Sequence, residues 1–206
     1  LLVGVVAPGA VVADAAHLAR ESDIIIVAVP FGKADSLPWH EFDGRIVVDA
    51  MNYWPPIDGT IDEVDADGRS TSEIIRTRNP AARLVKSFNH LGYHDMETDA
   101  RPAGDPLRRA LAAASDDAEA RSFVARFIDQ IGFDPVEVPM AAGKLLETDG
   151  PVFGVPMSAD ELAAASGLYM GKDSGTPAVV ASGVTTIPAP GAASELVRDP
   201  APDLFR

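Results

Sequence analysis

Short apolar runs, rich in β-branched residues and ended abruptly by turns, recur along this chain. The two clearest are Asp23–Phe31 and Arg45–Asn52, with strands predicted near 24–29 and 45–49. Such runs are typical of a parallel sheet whose two faces are both covered by helices. Similar runs predict three further strands: Ala82–Phe88, Ala110–Ala114 and Phe133–Val138, the last at an edge because it contains Pro135.

Segments with helical spacing separate these strands. The clearest is Asp116–Gly132, which begins with acidic residues, carries apolar residues three or four positions apart and ends at a glycine. Asp14 is predicted to cap a second helix, and Ser70–Glu73 has the spacing of a capping box before a third, which Asn79 and Pro80 end. The sequence also predicts helices near 141–147 and 158–166.

Proline and glycine punctuate the rest of the chain. Two prolines predict irregular structure at Tyr53–Gly59, because proline restrains φ and lacks a backbone donor. The proline-broken segment through Trp39 is expected to hold only a short helix. Residues 1–13 lack a clear period and predict a short strand leading into Asp14.

Alternation of strands and helices predicts an α/β fold, a doubly wound, Rossmann-like and mostly parallel sheet. We expect it to occupy residues 1–168. From residue 169 to 206 the composition shifts to Gly, Ala, Ser, Thr and Pro without a period, which predicts a weakly ordered tail.

The amino-acid composition argues against some classes of binding partner. With 17 basic and 31 acidic residues, the net charge is −14, which argues against binding to nucleic acid or to an anionic membrane. The sequence has no cysteine, and none of its apolar runs reaches the ~20 residues that span a bilayer. We expect a cytoplasmic protein with small-molecule ligands and, as sheets of this type often pair, a homodimer.

Ligands of such sheets bind outside the carboxyl ends of the strands. The first strand leads into a turn. Either this turn passes over a cofactor, or it is an ordinary turn at the end of a strand. The second ends at Asn52, whose amide can both donate to and accept from a cofactor, or can form an Asx turn. The residues predicted to bind a cofactor are Ala28, Val29, Pro30, Phe31, Lys33, Met51, Asn52, Phe88 and Asn89.

Three aromatic residues, Tyr53, Trp54 and Tyr93, are candidates for a wall beside a flat heterocycle, with Trp54 as a packed loop anchor the alternative. His90 and His94 are predicted to be structural or solvated rather than general acids. The four histidines are scattered along the chain, so no metal site is predicted. No residue is assigned an acid–base or nucleophilic role.

The segments at the ends of these elements, taken in chain order, resemble those of a known family. Ala28-Val-Pro-Phe31, Asp49-Ala-Met-Asn-Tyr-Trp54, Lys86-Ser-Phe-Asn89 and Ile131-Gly-Phe-Asp-Pro135 resemble the NADPH-dependent coenzyme F-420 reductase family. The resemblance implies a Rossmann fold, NADP(H) as cofactor, and hydride transfer to or from a deazaflavin (coenzyme F-420) or flavin-like ring. It also implies that Phe88–His90 faces the nicotinamide and the substrate, so that Asn89 bonds a ring amide and His90 lies at the substrate.

The chain departs from that family in one respect. The family opens with a strand and a Gly-rich turn that hold the cofactor's phosphates, and this sequence contains no G-x-G-x-x-G. We therefore expect an N-terminally incomplete Rossmann domain, either a fragment or a truncated relative. Two other functions stay open: a non-catalytic nucleotide-sensing or partner-binding Rossmann module, and an NADP-dependent dehydrogenase of a small organic substrate.

Overall fold

Five strands form one sheet in the computed structural model, which describes residues 3–173. The strands follow one another across the sheet in chain order: β1 (Ile24–Val27), β2 (Ile46–Asp49), β3 (Arg83–Lys86), β4 (Ala110–Ala114) and β5 (Asp134–Val138). β1, β2 and β3 are mutually parallel, β4 runs antiparallel to β3, and β5 is parallel to β4. The mostly parallel α/β sheet and the edge position of the last predicted strand are confirmed.

Helices fill the connections. Residues 3–14 contain α1 (Val3–Val6). The sheet-containing part holds the other seven: α2 (Ala15–Glu21), α3 (Pro55–Asp58), α4 (Asp62–Asp67), α5 (Thr71–Arg78), α6 (Tyr93–Thr98), α7 (Ala118–Gln130) and α8 (Ala159–Asp173). Three 3-10 segments add to them: Phe31–Ser36, Trp39–Phe42 and Met140–Leu146. Within residues 3–173, no helix is both long and apolar enough to cross a bilayer.

Two predicted helix starts are confirmed in atomic detail. The Ser70 hydroxyl accepts from the Glu73 backbone N–H while the Glu73 carboxylate accepts from the Ser70 N–H, which completes the capping box of α5. At the start of α7 the Asp117 carboxylate accepts from the Ala120 N–H, which makes Asp117 the cap of this helix.

Two local predictions were wrong. Tyr53–Gly59 is not irregular throughout, because Pro55–Asp58 forms a helical turn whose prolines occupy the first positions, where a backbone donor is not needed. The strand expected within residues 1–13 is a helical turn, α1, followed by exposed Val11 and Val12. A strand needs a hydrogen-bonded neighbour, and β1 pairs only with β2 among the described residues.

Four further elements differ from the predictions: two in type or extent, and two that were not predicted. The helix expected near 141–147 is the 3-10 segment Met140–Leu146. The last helix runs to Asp173 and so extends past the predicted boundary at 168, while the rest of the proposed tail lies outside the described residues. The two short helices α4 and α6 were not predicted.

The core lies on both faces of the sheet. Neighbouring residues of β2 belong to different apolar clusters: Val47 packs with Ile74 on one face, whereas Val48 packs with Val124 and Ile128 on the other. Side chains of a strand alternate between the two faces, so each face of β2 is covered, as the uninterrupted apolar run predicted.

Candidate functional site

A cavity of about 650 Å³ opens where the three parallel strands end. Ala28 follows β1, Asn52 follows β2, and Phe88 and Asn89 follow β3; all four line the cavity. The carboxyl ends of parallel strands meet at one edge of a sheet, which is why residues so far apart in sequence share this wall.

The opposite wall is mainly apolar. Tyr93 and Met96 of α6, Phe127 of α7 and the following Ile131 line it together with Phe153. Asp95 is the charged residue of the lining, and no lysine or arginine is among the described residues that form it. The cavity therefore suits a flat, largely apolar ring with a few polar groups at one end.

Phe88 turns the chain at the end of β3. Its φ is 65°, in the left-handed region that bulky residues rarely adopt, and its ring packs edge-to-face on Phe127 with centroids 6.0 Å apart. This conformation costs on the order of 1–3 kcal/mol and persists only where the surrounding structure enforces it. The turn places the next two residues, Asn89 and His90, beside the cavity.

Hydrogen bonds fix the orientation of the two amide side chains. The Asn52 Nδ2 donates to the Asn89 carbonyl oxygen at 2.9 Å. The Asn89 Nδ2 donates to Asn52 Oδ1 at 3.1 Å and to the Leu146 carbonyl oxygen at 2.5 Å. Both amide nitrogens face acceptors, so neither side chain can be flipped. The Asn89 Oδ1 is buried, and no described residue donates to it.

His90 is buried rather than solvated. Its Nε2 accepts from the Ala112 backbone N–H at 3.3 Å, and its carbonyl oxygen accepts from the Gly154 N–H at 2.9 Å. Burial, and after it the positive charges of Lys86 and Arg109, lower the pKa of His90 to about 3. The ring is therefore neutral near pH 7 and cannot act there as an imidazolium acid.

A buried ionic network joins the ends of β2 and β3, and the sequence analysis did not single it out. Asp49 ends β2 and Lys86 ends β3, and the two are register partners. The Lys86 Nζ lies 3.7 Å from a carboxylate oxygen of Asp49 and 3.7 Å from one of Glu147. It donates to the Met51 carbonyl oxygen at 3.0 Å and to Thr71 Oγ1 at 3.2 Å.

The two carboxylates of this network accept further hydrogen bonds. Asp49 accepts from the Met51 N–H and the Ser72 hydroxyl, and Glu147 accepts from the N–H and the hydroxyl of Thr71. The network joins β2, β3, the start of α5 and the end of the last 3-10 segment. The sequence signal for this network is a charged residue at the end of an apolar run, Asp49 in β2 and Lys86 in β3. The other carboxylate of the network, Glu147, is remote from both in sequence.

Several predicted binding residues lie elsewhere. The side chains of Phe31, Met51 and Tyr53 are buried in the apolar core, and Val29 packs against it. Pro30 and Lys33 are exposed on the outer turn after β1, and Trp54, 47% exposed, precedes α3. Of the three aromatic residues proposed as a wall, only Tyr93 lines the cavity. Contact of these residues with a cofactor stays a prediction.

The remaining candidate, His94, lies on α6 with its ring centroid 4.1 Å from that of Tyr93. Across the part of the chain that the structure describes, no three residues of the types His, Asp and Glu are grouped so as to hold a metal ion.

Comparison with known proteins identifies the fold. No family model matches the chain, and no curated protein matches it. A hypothetical protein from Sinorhizobium meliloti is similar in structure, with a TM-score of 0.57 and 28% identity over 69% of this chain and 70% of that one. A proposed F-420-dependent NADP reductase from an Arthrobacter species has a TM-score of 0.54 and 23% identity over 65% of this chain and 64% of that one.

The fold is Rossmann-like. Both similarities are to solved structures, and the Arthrobacter protein is matched over less than two thirds of its length. At these identities the likeness concerns the fold, and a Rossmann-like sheet accounts for a ligand-sized cavity at the ends of β1, β2 and β3.

Proposed function

We propose that this chain is an NADP-dependent oxidoreductase, or the larger part of one, that transfers hydride between NADP(H) and a deazaflavin (coenzyme F-420) or flavin-like ring. The observation that carries the proposal is the apolar cavity at the ends of three parallel strands, with two amide side chains of fixed orientation beside it. The fold similarity to a proposed F-420-dependent NADP reductase supports it.

The cavity fits the ring portion of such a cofactor. Ile26, Ala28 and Phe88 offer apolar surface to a planar ring, and Asn52 and Asn89 lie beside it. The phosphates fit less well, because the sequence has no G-x-G-x-x-G turn and the described lining has no cationic side chain. Binding of the diphosphate by this chain is the weaker part of the proposal.

The bound nicotinamide would supply the hydride, and the protein's residues would orient and shield it. Hydride transfer between two rings needs close, parallel placement rather than a proton relay. Apolar walls from Phe88, Phe127 and Met96 would exclude water from the transfer, while Asn52 and Asn89 hold one edge of the ring. Neutral His90 is consistent with a reaction that uses no general acid.

A second candidate is a nucleotide-sensing or partner-binding module without catalysis. One observation favours it: no cation is among the described residues that line the cavity. A module of this kind would bind the ring portion of a nucleotide in the cavity and transfer no hydride.

The test is a fluorescence titration with NADPH and with NADH, on the natural chain and on Ala28→Trp. Ala28 is exposed and lines the cavity, so tryptophan there should fill the ring site without disturbing the core. We expect binding by the natural chain and at least a roughly tenfold loss in the variant, the size of one lost polar contact or more. Ala103→Trp, on an exposed loop, serves as the matched control.

Hydride transfer is then assayed by loss of NADPH absorbance with a deazaflavin or flavin as acceptor. Turnover that Ala28→Trp abolishes would support the reductase. Cofactor binding without turnover on either acceptor would favour the sensing module. Equal binding by Ala28→Trp and the natural chain would place the cofactor outside this cavity and contradict the proposal.

A further inference from the structure

The charge and the aromatic content of the cavity lining both favour a cation. Asp95 is the charged residue among the described residues of the lining, and the others are apolar, aromatic or neutral polar. Four of the lining side chains are aromatic: Phe88, Tyr93, Phe127 and Phe153. The faces of aromatic rings carry negative potential and attract cations, which is how many proteins recognise organic ammonium groups.

The carboxylate of Asp95 lies beside the cavity and can still accept hydrogen bonds. Its Oδ2 is 3.2 Å from the point where a Cβ would stand on Gly92, which is itself a lining residue. The Nη1 of Arg109 is 3.6 Å from the same oxygen, beyond hydrogen-bond distance, and donates instead to Asp99 at 2.5 Å. The side chain of Asp95 is 49% exposed, so a ligand can reach it.

Arg109 does not neutralise this part of the cavity. Its single guanidinium is shared between the carboxylates of Asp95 and Asp99, which leaves the negative charge in excess. The net charge of −14 on the whole chain acts in the same direction. A nearby carboxylate stabilises a bound cation, and the field of the whole protein raises the local concentration of cations.

We propose that the cavity selects an organic cation, and that Asp95 is the specificity-determining residue that separates the cation from a neutral ligand of the same shape. The inference deepens the proposed function and rests on it for the identity of the ligand. The nicotinamide ring is cationic when oxidised and neutral when reduced, so it supplies one such cation. A substituted ammonium group on a small organic substrate is the other source.

Sequence reasoning did not single out Asp95. An acidic residue in the first turn of a helix is ordinary, because it interacts favourably with the positive end of the helix dipole. What distinguishes Asp95 is its place in the cavity lining, which depends on how α6 packs beside the ends of the strands.

Three small probes without phosphate groups separate charge from shape. 1-Methylnicotinamide is a planar cation, nicotinamide is its neutral counterpart, and benzyltrimethylammonium is a cation without a pyridinium ring. Because none of them carries a phosphate, the missing Gly-rich turn does not affect the comparison. Ligand-observed NMR titration of the natural chain gives the dissociation constant of each probe.

The informative variant is Asp95→Asn, which keeps the size of the side chain and an acceptor oxygen but removes the charge. Glu97→Gln is the matched control. Glu97 is exposed on the same helix and is not among the lining residues, and its substitution changes the net charge by the same amount. An effect of overall charge alone would therefore be equal in the two variants. Circular dichroism checks that each variant is folded.

We expect the natural chain to bind 1-methylnicotinamide at least about fivefold more tightly than nicotinamide, as suits a partly exposed charge pair assisted by aromatic rings. Asp95→Asn should weaken binding of the cation and leave nicotinamide unchanged, whereas Glu97→Gln should retain the preference. A larger effect of Asp95→Asn on 1-methylnicotinamide than on benzyltrimethylammonium would identify the pyridinium ring as the source. The reverse would identify an ammonium substrate.

Salt dependence is a second readout, one that a purely structural role of Asp95 would not change. Affinity for 1-methylnicotinamide should fall as the salt concentration rises from about 0.01 to 0.15 M, while affinity for nicotinamide stays constant. The fall should be smaller in Asp95→Asn than in Glu97→Gln. Equal affinity of the natural chain for the charged and the neutral ring, equal effects of the two variants, or failure of both cations to bind would overturn the inference.

The outcomes separate this inference from the proposed function. Turnover of NADPH by a chain that binds 1-methylnicotinamide and nicotinamide equally well would overturn the inference and leave the reductase standing. Asp95-dependent binding of either cation without any hydride transfer would support the inference and contradict the reductase.

Discussion

Lys86 is the positive centre of the buried ionic network at the ends of β2 and β3. It is completely buried between the carboxylates of Asp49 and Glu147, and its ammonium also bonds the Met51 carbonyl just before Asn52. Lys86→Met would leave both carboxylates buried without a positive partner. We expect a loss of about 3–5 kcal/mol in the free energy of unfolding, measured by urea denaturation.

The control for this prediction is Lys33→Met, on an exposed lysine, which should change stability by no more than about 0.5 kcal/mol. Adding Glu147→Gln to Lys86→Met should restore part of the loss, because one unpaired carboxylate is removed. If Lys86→Met were no more destabilising than Lys33→Met, the ionic network would not support the fold.

His90 should make the free energy of unfolding depend on pH in the acid range. Its pKa is about 3 in the folded chain, lowered by burial and then by Lys86 and Arg109, against an ordinary value of 6.5. Between these values the unfolded chain binds a proton that the folded chain does not. The free energy of unfolding should therefore fall as the pH drops from about 6.5 towards 3, by about 1.4 kcal/mol per pH unit from this residue.

Urea unfolding of the natural chain and of His90→Gln at several pH values measures this contribution. Carboxyl groups titrate in both proteins, so the difference between the two isolates the histidine. The stability of the natural chain relative to His90→Gln should decline over that pH window. A difference that stays constant with pH would show that His90 is not held neutral by the fold.

At the scale of elements, α5 illustrates how a local signal sets up contacts in the buried ionic network. The capping box of Ser70 and Glu73 sets where the helix begins, and the next residue, Thr71, bonds Glu147 and Lys86. Ser70→Ala should cost about 1 kcal/mol of unfolding free energy through loss of the cap. Ser36→Ala, at an exposed serine that caps no α-helix, is the control; equal effects of the two would argue against the cap's importance.

Prediction from sequence succeeded where an element's own residues determine it. The apolar runs marked all five strands, and the spacing within Asp116–Gly132 marked α7. It failed at Pro55–Asp58, where proline was treated as a breaker although it suits the first turn of a helix. It also missed α6, which has no buried residue and therefore no apolar stripe to detect.

At the scale of the whole molecule, the net negative charge of the protein should repel an anionic cofactor. The net charge is −14, and no cation is among the described residues that line the cavity. Long-range repulsion should therefore weaken NADPH binding at low salt, where the Debye length is about 30 Å, and be screened at 0.15 M, where it is about 8 Å. We expect NADPH affinity to rise about two- to fivefold over that range.

NADH carries less negative charge, so its affinity should change less over the same salt range, and fluorescence titration measures both. The opposite trend, with NADPH binding weakened by salt, would indicate that a local group of lysines or arginines holds the phosphates. That result would also strengthen the case for an intact phosphate site.

The sequence by itself determined the α/β class, the positions of the strands and the residues at their carboxyl ends, because these depend on periodicity within short segments. Ala28, Asn52, Phe88 and Asn89 were identified this way, and all four line the cavity. Only the tertiary structure decided which neighbours each polar group meets. Leu146 orients the amide of Asn89, Ala112 sets the tautomer of His90, and Glu147 completes the network of Lys86. These partners are from 22 to 61 residues away in the chain, and no local pattern specifies such pairings.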